Sequence, residues 1–434
     1  MKSNPAEIYL SEEVNRLWGI KAGDLWTIAS GKQQTRARIR EEYFPLLSDS
    51  PVINITAGLA REMSLPPGID LNIIMEGNKL RLGPLVGIIA GTYNAQSGSF
   101  GAQDKFFRSL CSHMRRLNGL AFIFTCQDLE PERKLVHGYY LPEEDKAWQR
   151  LWVPLPDVCY NRYYYHPGDN PSRYGVGSLQ KLGIKVFNTG VGDKWLVHKR
   201  LAREKGIAPH LPETHLVKSR QVLGAMLGKY QQVYLKPVNG CKGRDITRIS
   251  RHQGGYLVKS TNDANGRVVL SLPGLLAGAG GRLRIVQQGI KTPGGDRHFD
   301  LRVMVQKDRH NEWQLSGIAV RMGAKGRITT NLATQGQAER LEKTLSDLGW
   351  EESRIIQVTW EIEELALNIA RTLDRYALHL GELGLDFIID TRGKVWFLEA
   401  NPKPARKVFT IIDAEMRRRA VSRPMEYACW LAGF

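Results

Sequence analysis

The chain has 434 residues, 42% of them hydrophobic, with 61 Lys and Arg against 44 Asp and Glu and a formal net charge of +17. That length exceeds one ordinary domain and predicts two or three, with apolar content sufficient for packed cores. No apolar run approaches a membrane span, and Cys111, Cys126, Cys159, Cys241 and Cys429 are scattered without ligand spacing, which excludes a helical membrane protein, a disulfide framework and a zinc module.

The first stretch, MKSNPAEIYLSEEVNRLW, lacks the charged-then-apolar layout of a secretory signal, so a cytoplasmic protein with reduced thiols is expected. The positive charge admits a nucleic-acid binder, an acidic polymer as substrate, or a nucleotide site with a basic surround. The densest basic run, MRRRAVSR at 416–423, precedes Pro424 and an apolar helix. It has no zinc-finger, RNP or helix-turn-helix signature beside it and reads as a solvated helix face, which leaves nucleic acid a minority reading.

Residues 1–82 contain a repeat. IYLSEEVNRLWGIKAGDLWTI from Ile8 matches INITAGLAREMSLPPGIDLNI from Ile53 at a constant offset of 45 residues. The offset superposes Ser11 on Thr56, Val14 on Leu59, Ile20 on Leu65, Gly23 on Gly68 and Ile28 on Ile73. Each copy reads as a strand, a capped short helix, a glycine turn and a second strand, because Ser and Thr are good helix caps. The expectation is a small pseudo-symmetric β-rich accessory domain without catalytic residues.

From Leu82 the pattern changes. Leu85–Ala90 is a buried-strand run, followed by a Gly/Ser/Asn loop, the helix KFFRSLCSHMRRL, the strand LAFIFTC and then VPLPDVCYNR. Strands alternating with helices predict an α/β layer with a partly parallel sheet, so residues 83–188 read as a Rossmann-like domain. GTYNAQSGSFG is glycine-rich but lacks GxGxxG and is a weak phosphate signal.

Residues 189–434 read as a mixed α/β region. YLKPVNGCKGRDITRIS at 234–250 sets Lys236 on a strand beside a loop with Gly240 and Gly243. Such glycines let backbone N–H groups close on a phosphate while the lysine adds a point charge; the same residues also suit a hairpin with a lysine on its wet face. IVQQGI at 285–290 is a strand ending in polar residues. HFDLRVMVQ and WQLSGIAVRMG carry Arg302 and Arg321 inside apolar strands; facing the core they need anionic partners, and on an exposed edge they do not. Ile362, Leu365, Ile369, Leu373, Tyr376 and Leu380 form the core stripe of a long amphipathic helix.

LGLDFIIDTRGKVWFLEAN then reads as a hairpin around DTRG. With Asp390 and Gly393 flanking the turn, Asp386 is expected opposite Phe397, on the face that bears Glu399 and Asn401. Three oxygen-bearing side chains from two adjacent strands make a site for one or two Mg²⁺ ions, Mn²⁺ being the alternative ion, with water and nucleotide phosphates completing the shell.

Lys236 with its glycine loop, the hinge-like IVQQGI, the D-x-R of Asp300 and Arg302, and Asp386…Glu399-x-Asn401 together resemble the ATP-grasp superfamily. FGAQDKFF, PDVCYNR, NTGVGDKW and NLATQGQ look closest to its YheC/YheD branch, associated with bacterial endospore coats. The resemblance spans roughly residues 83–434 and implies an α/β (α+β) ATP-grasp fold, its two subdomains at 189–434 grasping ATP after a Rossmann-like domain. It implies Lys194 and Lys236 at the ATP phosphates, Gly240 and Gly243 covering them, and Gln287, Gln288 and Ile290 along the adenine. Arg302, Arg321 and Asn331 are implied at the transferring phosphate and acceptor. The implied chemistry is ATP-dependent carboxylate–amine ligation through an acylphosphate, with an anionic peptide suited to the basic surface and spore-coat proteins as candidate partners. The alternative is a coat protein of structural role that binds nucleotide without turnover. Two departures bear on the acceptor: the final segment runs PKPARK, with Ala405 where relatives have Gly, and Gln335 replaces the second residue of a common Gly-Gly pair.

Overall fold

The computed structural model describes residues 6–42, 53–143, 147–164, 175–240, 245–261, 263, 265–271, 283–293, 298–323 and 337–434. The chain divides into two units, one made of Met1–Thr189, Lys307–Glu312 and Val421–Phe434, the other of Gly190–Gln306 and Trp313–Ala420.

The first unit carries two sheets. Strands β1 (Ala6–Leu10), β2 (Leu25–Ser30), β3 (Gln33–Glu41), β4 (Ile53–Ile55), β5 (Asn72–Glu76) and β6 (Lys79–Gly83) run in the order β4-β1-β3-β2-β6-β5. Short helices Glu12–Trp18 and Ala57–Glu62 follow β1 and β4. Each begins at a hydroxyl cap: Ser11 Oγ accepts from the Val14 N–H and Thr56 Oγ1 from the Leu59 N–H, both at 3.2 Å. The repeat partners Val14 and Leu59, Ile20 and Leu65, and Ile28 and Ile73 are buried in one core, so matched positions in the two copies do matched packing work.

The second sheet holds β7 (Leu85–Ile89), β8 (Leu120–Phe124), β9 (Leu129–Glu130), β10 (Leu135–Tyr140), β11 (Gln149–Pro154), β12 (Val158–Asn161) and β13 (Lys185–Phe187). Its order is β11-β10-β8-β7-β12-β13, with β9 on β10. β7 pairs in parallel with β8 and β12, and β12 with β13, while β10 runs antiparallel to β8 and β11. Every residue of β7 and β8 is buried, the expected state of central parallel strands, and this is why both appear as unbroken apolar runs.

The second unit also has two sheets, both antiparallel wherever register is defined. β14 (Thr214–Leu216), β15 (Gln232–Pro237), β16 (Thr247–His252), β17 (Gly255–Ser260), β18 (Arg267–Val269) and β19 (Arg284–Gln288) are ordered β14-β19-β15-β16-β17-β18. β20 (Phe299–Lys307), β21 (Trp313–Met322), β22 (Gln337–Glu339), β23 (Glu382–Ile389) and β24 (Val395–Asn401) are ordered β22-β21-β20-β23-β24.

Helix Glu352–Asp374 buries Ile362, Leu365, Ile369 and Leu373 in the same core as Leu301, Val303, Leu385 and Phe387. The helix stops at Asp374, short of the expected stripe. Tyr376 lies outside it and is 43% exposed beneath the Arg200 guanidinium, whereas Leu380 is buried without being helical. The basic run at 416–423 and the apolar residues after it belong to one helix, Ala414–Ala432, with Pro424 inside. Among the described residues no helix is long and apolar enough to cross a membrane.

Candidate functional site

The site grows from the middle of the last sheet. β20, β23 and β24 are neighbours, and their register sets Arg302 opposite Asp386 and Asp386 opposite Glu399. The expected hairpin register is therefore corrected. Phe387 pairs with Phe397, where the expected turn put Trp396, so the ladder is one residue out from the turn onward. A bulge between Asp386 and Phe387 adds a second, and Glu399, not Phe397, faces Asp386. A bulge inserts one residue and reverses the alternation beyond it. Phe387 and Phe397 consequently pack in the hydrophobic core, while Asp386, Glu399 and Asn401 share the other face. Gly384, opposite Asn401, keeps that face open: a Cβ there would lie 2.7 Å from Pro404 Cβ and 2.9 Å from Arg302 Nη1. Gly384→Ala is expected to cost about 1–3 kcal/mol by overpacking, read as a lower denaturant midpoint at unchanged slope.

Both arginines face carboxylates. Arg321 makes a two-pronged pair with Asp300, Nε to Oδ1 and Nη2 to Oδ2 each at 2.6 Å, and its Nη2 is 3.0 Å from Asp386 Oδ2. Arg302 donates from Nη2 to Asp386 Oδ2 at 3.3 Å, with its Nε 2.7 Å from Oδ1. All four side chains are nearly buried. Burial resists ionisation of Asp386, but the Arg302 and Arg321 guanidinium groups overcome it and hold the carboxyl below its ordinary range. Burial likewise weakens the hold of Arg321 on its proton, and Asp386 and Asp300 more than restore it.

A second group reaches this site from β15 and β19. Lys236 is buried, and its Nζ donates to Gln287 Oε1 at 2.6 Å, while Gln287 Nε2 donates to Thr214 Oγ1 at 3.2 Å. Burial lowers the Lys236 pKa to about 8; Glu399 pulls it up, Lys194 pushes it down, and Asp386 and Asp300 pull it up again. Lys194 opens helix Lys194–Leu201, whose first turn is capped by Asp193 Oδ1 accepting from the Leu196 N–H at 2.8 Å. Its ammonium donates to the Gly240 carbonyl and lies 3.6 Å from Glu399 Oε2, joining the glycine loop to the carboxylate face. Gln288 Oε1 accepts from the Glu213 N–H at 3.1 Å, and Ile290 is half-buried. Gly243 and Asn331, like Cys241 and Gln335, lie outside the described residues.

Asp386, Glu399 and Asn401 fit a hard cation in donor chemistry. Glu399 is about one-third exposed, and Asp386 Oδ1 is buried with no aligned hydrogen bond despite its nearby guanidinium. Asn401 Oδ1 accepts from the Lys403 N–H at 2.9 Å, an Asx turn that fixes the side chain. Among the described residues no group of three or more His, Cys, Asp and Glu forms a metal cage. Mg²⁺ needs no such cage, because it keeps waters and uses one or two carboxylates together with substrate phosphates.

Thr214, Gly384, Glu382 and Arg406 escaped the sequence reading. Thr214 and Gly384 carry no charge signal, and Glu382 and Arg406 pair with each other in the interior, out of step with any recognisable spacing.

Known proteins resemble this chain along most of its length. The profile of a family described as YheC/D like ATP-grasp matches residues 183–431, more than half of the chain. The endospore coat-associated protein YheD of Bacillus subtilis (strain 168) is 29% identical over 403 residues, covering 87% of this chain and 85% of that protein. The endospore coat-associated protein YheC of the same strain is 24% identical over 325 residues, covering 72% of this chain and 88% of that one. A solved structure of the ATP-grasp ligase PsnB complexed with minimal precursor, Mg and ADP aligns at a TM-score of 0.45 and 13% identity, covering 79% of this chain and 98% of that one. On the extent of the family match, this chain belongs to the YheC/D-like ATP-grasp family.

Proposed function

We propose that the protein is an ATP- and Mg²⁺-dependent ligase that joins a carboxylate to an amine through an acylphosphate. The observation that carries this reading is the meeting of buried Lys236, the Arg302 and Arg321 guanidinium groups and the Asp386, Glu399 and Asn401 oxygens around one sheet face. The arginines are paired with Asp300 and Asp386, but the buried Lys236 donates to a neutral group, Gln287 Oε1, and the polyphosphate of ATP supplies an anion for it. Mg²⁺, when bound, neutralises phosphate oxygens.

Lys236 and Lys194 then hold the phosphates, while Arg302 and Arg321 orient the acceptor carboxylate and offset charge that develops at the transferred group. A carboxylate oxygen attacks the γ-phosphorus, the bond to the β-phosphate oxygen breaks, and ADP leaves. The amine nitrogen next attacks the acyl carbon, the carbon–oxygen bond to phosphate breaks, and the amine proton passes to solvent. The basic surface suits an acidic peptide as one substrate, and the names of the two Bacillus relatives extend the proposal to a role at the spore coat, with coat proteins as partners.

Melting curves with Mg·ATP, and with ATP plus chelator, test the nucleotide step. Mg·ATP at one hundred times its Kd is expected to stabilise by about 2.7 kcal/mol, with a smaller effect under chelation. Superimposable curves with and without nucleotide would count against the reading.

A further inference from the structure

Pro424 sits inside helix Ala414–Ala432, where it has no N–H to give the carbonyl four residues earlier. That carbonyl belongs to Ala420, and it is not wasted. Arg406 Nε donates to it at 2.8 Å and Gln306 Nε2 at 3.2 Å. Arg406 is buried; its Nη2 pairs with Glu382, and its Nη1 donates to the Pro404 carbonyl at 3.3 Å. Gln306 also donates to Glu382 Oε2 at 3.1 Å and accepts from Ser316 Oγ at 2.6 Å. Glu382 is fully buried and stands opposite Gln306, two rungs along β23 from Gly384.

We propose that Arg406 is a positioning residue for the Asn401 oxygen, clasped to the helix by the carbonyl from which Pro424 withholds the usual fourth-residue donor. The clasp acts through a short chain. Arg406 fixes the Pro404 carbonyl, Pro404 lies over Gly384 where the Arg302 guanidinium also comes close, and the intervening turn closes on Asn401 Oδ1 through the Lys403 N–H. A planar guanidinium serves three oxygens in different directions here, which an ammonium on a flexible stem cannot do. The segment PKPARK, with Ala405 in the middle, thus gains its rigidity from the arginine beside it.

This inference rests on the reading of Asn401 as a cation donor, and the experiment separates the two. ADP affinity is measured by calorimetry across a Mg²⁺ titration for the wild type, for Arg406→Gln combined with Glu382→Gln, and for Pro424→Ala. The double variant removes both charges of the buried pair together, and Pro424→Ala leaves every clasp side chain in place while restoring a competing N–H to Ala420. In the double variant the half-saturating Mg²⁺ concentration is expected to rise by about tenfold or more, the usual cost of losing an outer hydrogen-bond partner, with Mg²⁺-free ADP affinity unchanged. Pro424→Ala is expected to move it in the same direction by a smaller factor. A purely structural clasp would lower the melting temperature of both variants and leave the Mg²⁺ dependence alone, and that result overturns the proposal. A wild type indifferent to Mg²⁺ overturns the cation site itself, and this inference with it.

Discussion

Asp386→Ala is expected to destabilise the second unit by about 3–5 kcal/mol, the range for removing one partner from a buried ion pair. The carboxylate stands between Arg302 and Arg321, and the two losses are unequal. Arg321 keeps its two-pronged pair with Asp300, whereas Arg302 is left facing a void with its charge uncompensated. Asp386→Asn keeps the shape and part of the hydrogen bonding, so it should recover some stability and little metal or nucleotide binding. Denaturant titration of both variants measures this; a loss under about 1 kcal/mol for alanine would mean that the pair is solvated and the quartet is not a buried site.

Lys236→Met is expected to separate stability from binding. The folded protein holds Lys236 at a pKa of about 8 against an ordinary 10.5, chiefly by burial. The unfolded chain therefore binds more protons between those values, and stability rises with pH across the window of about 8 to 10.5. Below pH 8 the charged lysine costs on the order of 3 kcal/mol of folding free energy, which methionine removes. Against this, Gln287 Oε1 loses its donor at a cost of about 1–3 kcal/mol, so the net change at pH 7 is expected to be small. Nucleotide affinity should nonetheless fall by roughly 10- to 150-fold, the worth of a charge-assisted hydrogen bond of about 1.5–3 kcal/mol. The rise in stability between pH 8 and 10.5 should vanish in the variant. Strong destabilisation with unchanged ADP affinity would assign Lys236 to the core instead.

Residue types stood out in the sequence more readily than the register that brings them together. Charged residues in apolar strands are visible because they are costly, so Arg302, Arg321 and Asp386 could be picked out one strand at a time. The Glu399-x-Asn401 spacing put both side chains on one face of β24, which the structure preserves. The bulge was not legible, because nothing in KVWFLEAN distinguishes an extra residue from regular alternation; the fully buried pairing of Phe387 with Phe397 decides it. Helix Glu352–Asp374 was overrun because Tyr376 and Leu380 continue the spacing that packing no longer enforces. That the basic run and the apolar residues after Pro424 form one helix was not legible, because Arg406, which donates to the Ala420 carbonyl, lies 18 residues before the proline. The offset of 45 residues in the first 82, by contrast, needed only local signals, and the Ser11 and Thr56 caps with their matched core residues are the physical content of that repeat.

The most direct test of the account is the Mg²⁺ dependence of ADP binding in the wild type and in Glu399→Gln. Glutamine keeps the size and one oxygen donor but removes the charge that faces Lys194 and any cation on that face. The account predicts that Mg²⁺ tightens ADP binding in the wild type, and that the gain shrinks by about tenfold or more in a folded Glu399→Gln protein. Equal gains in the two proteins, or no gain in either, would contradict a cation site on the β23–β24 hairpin.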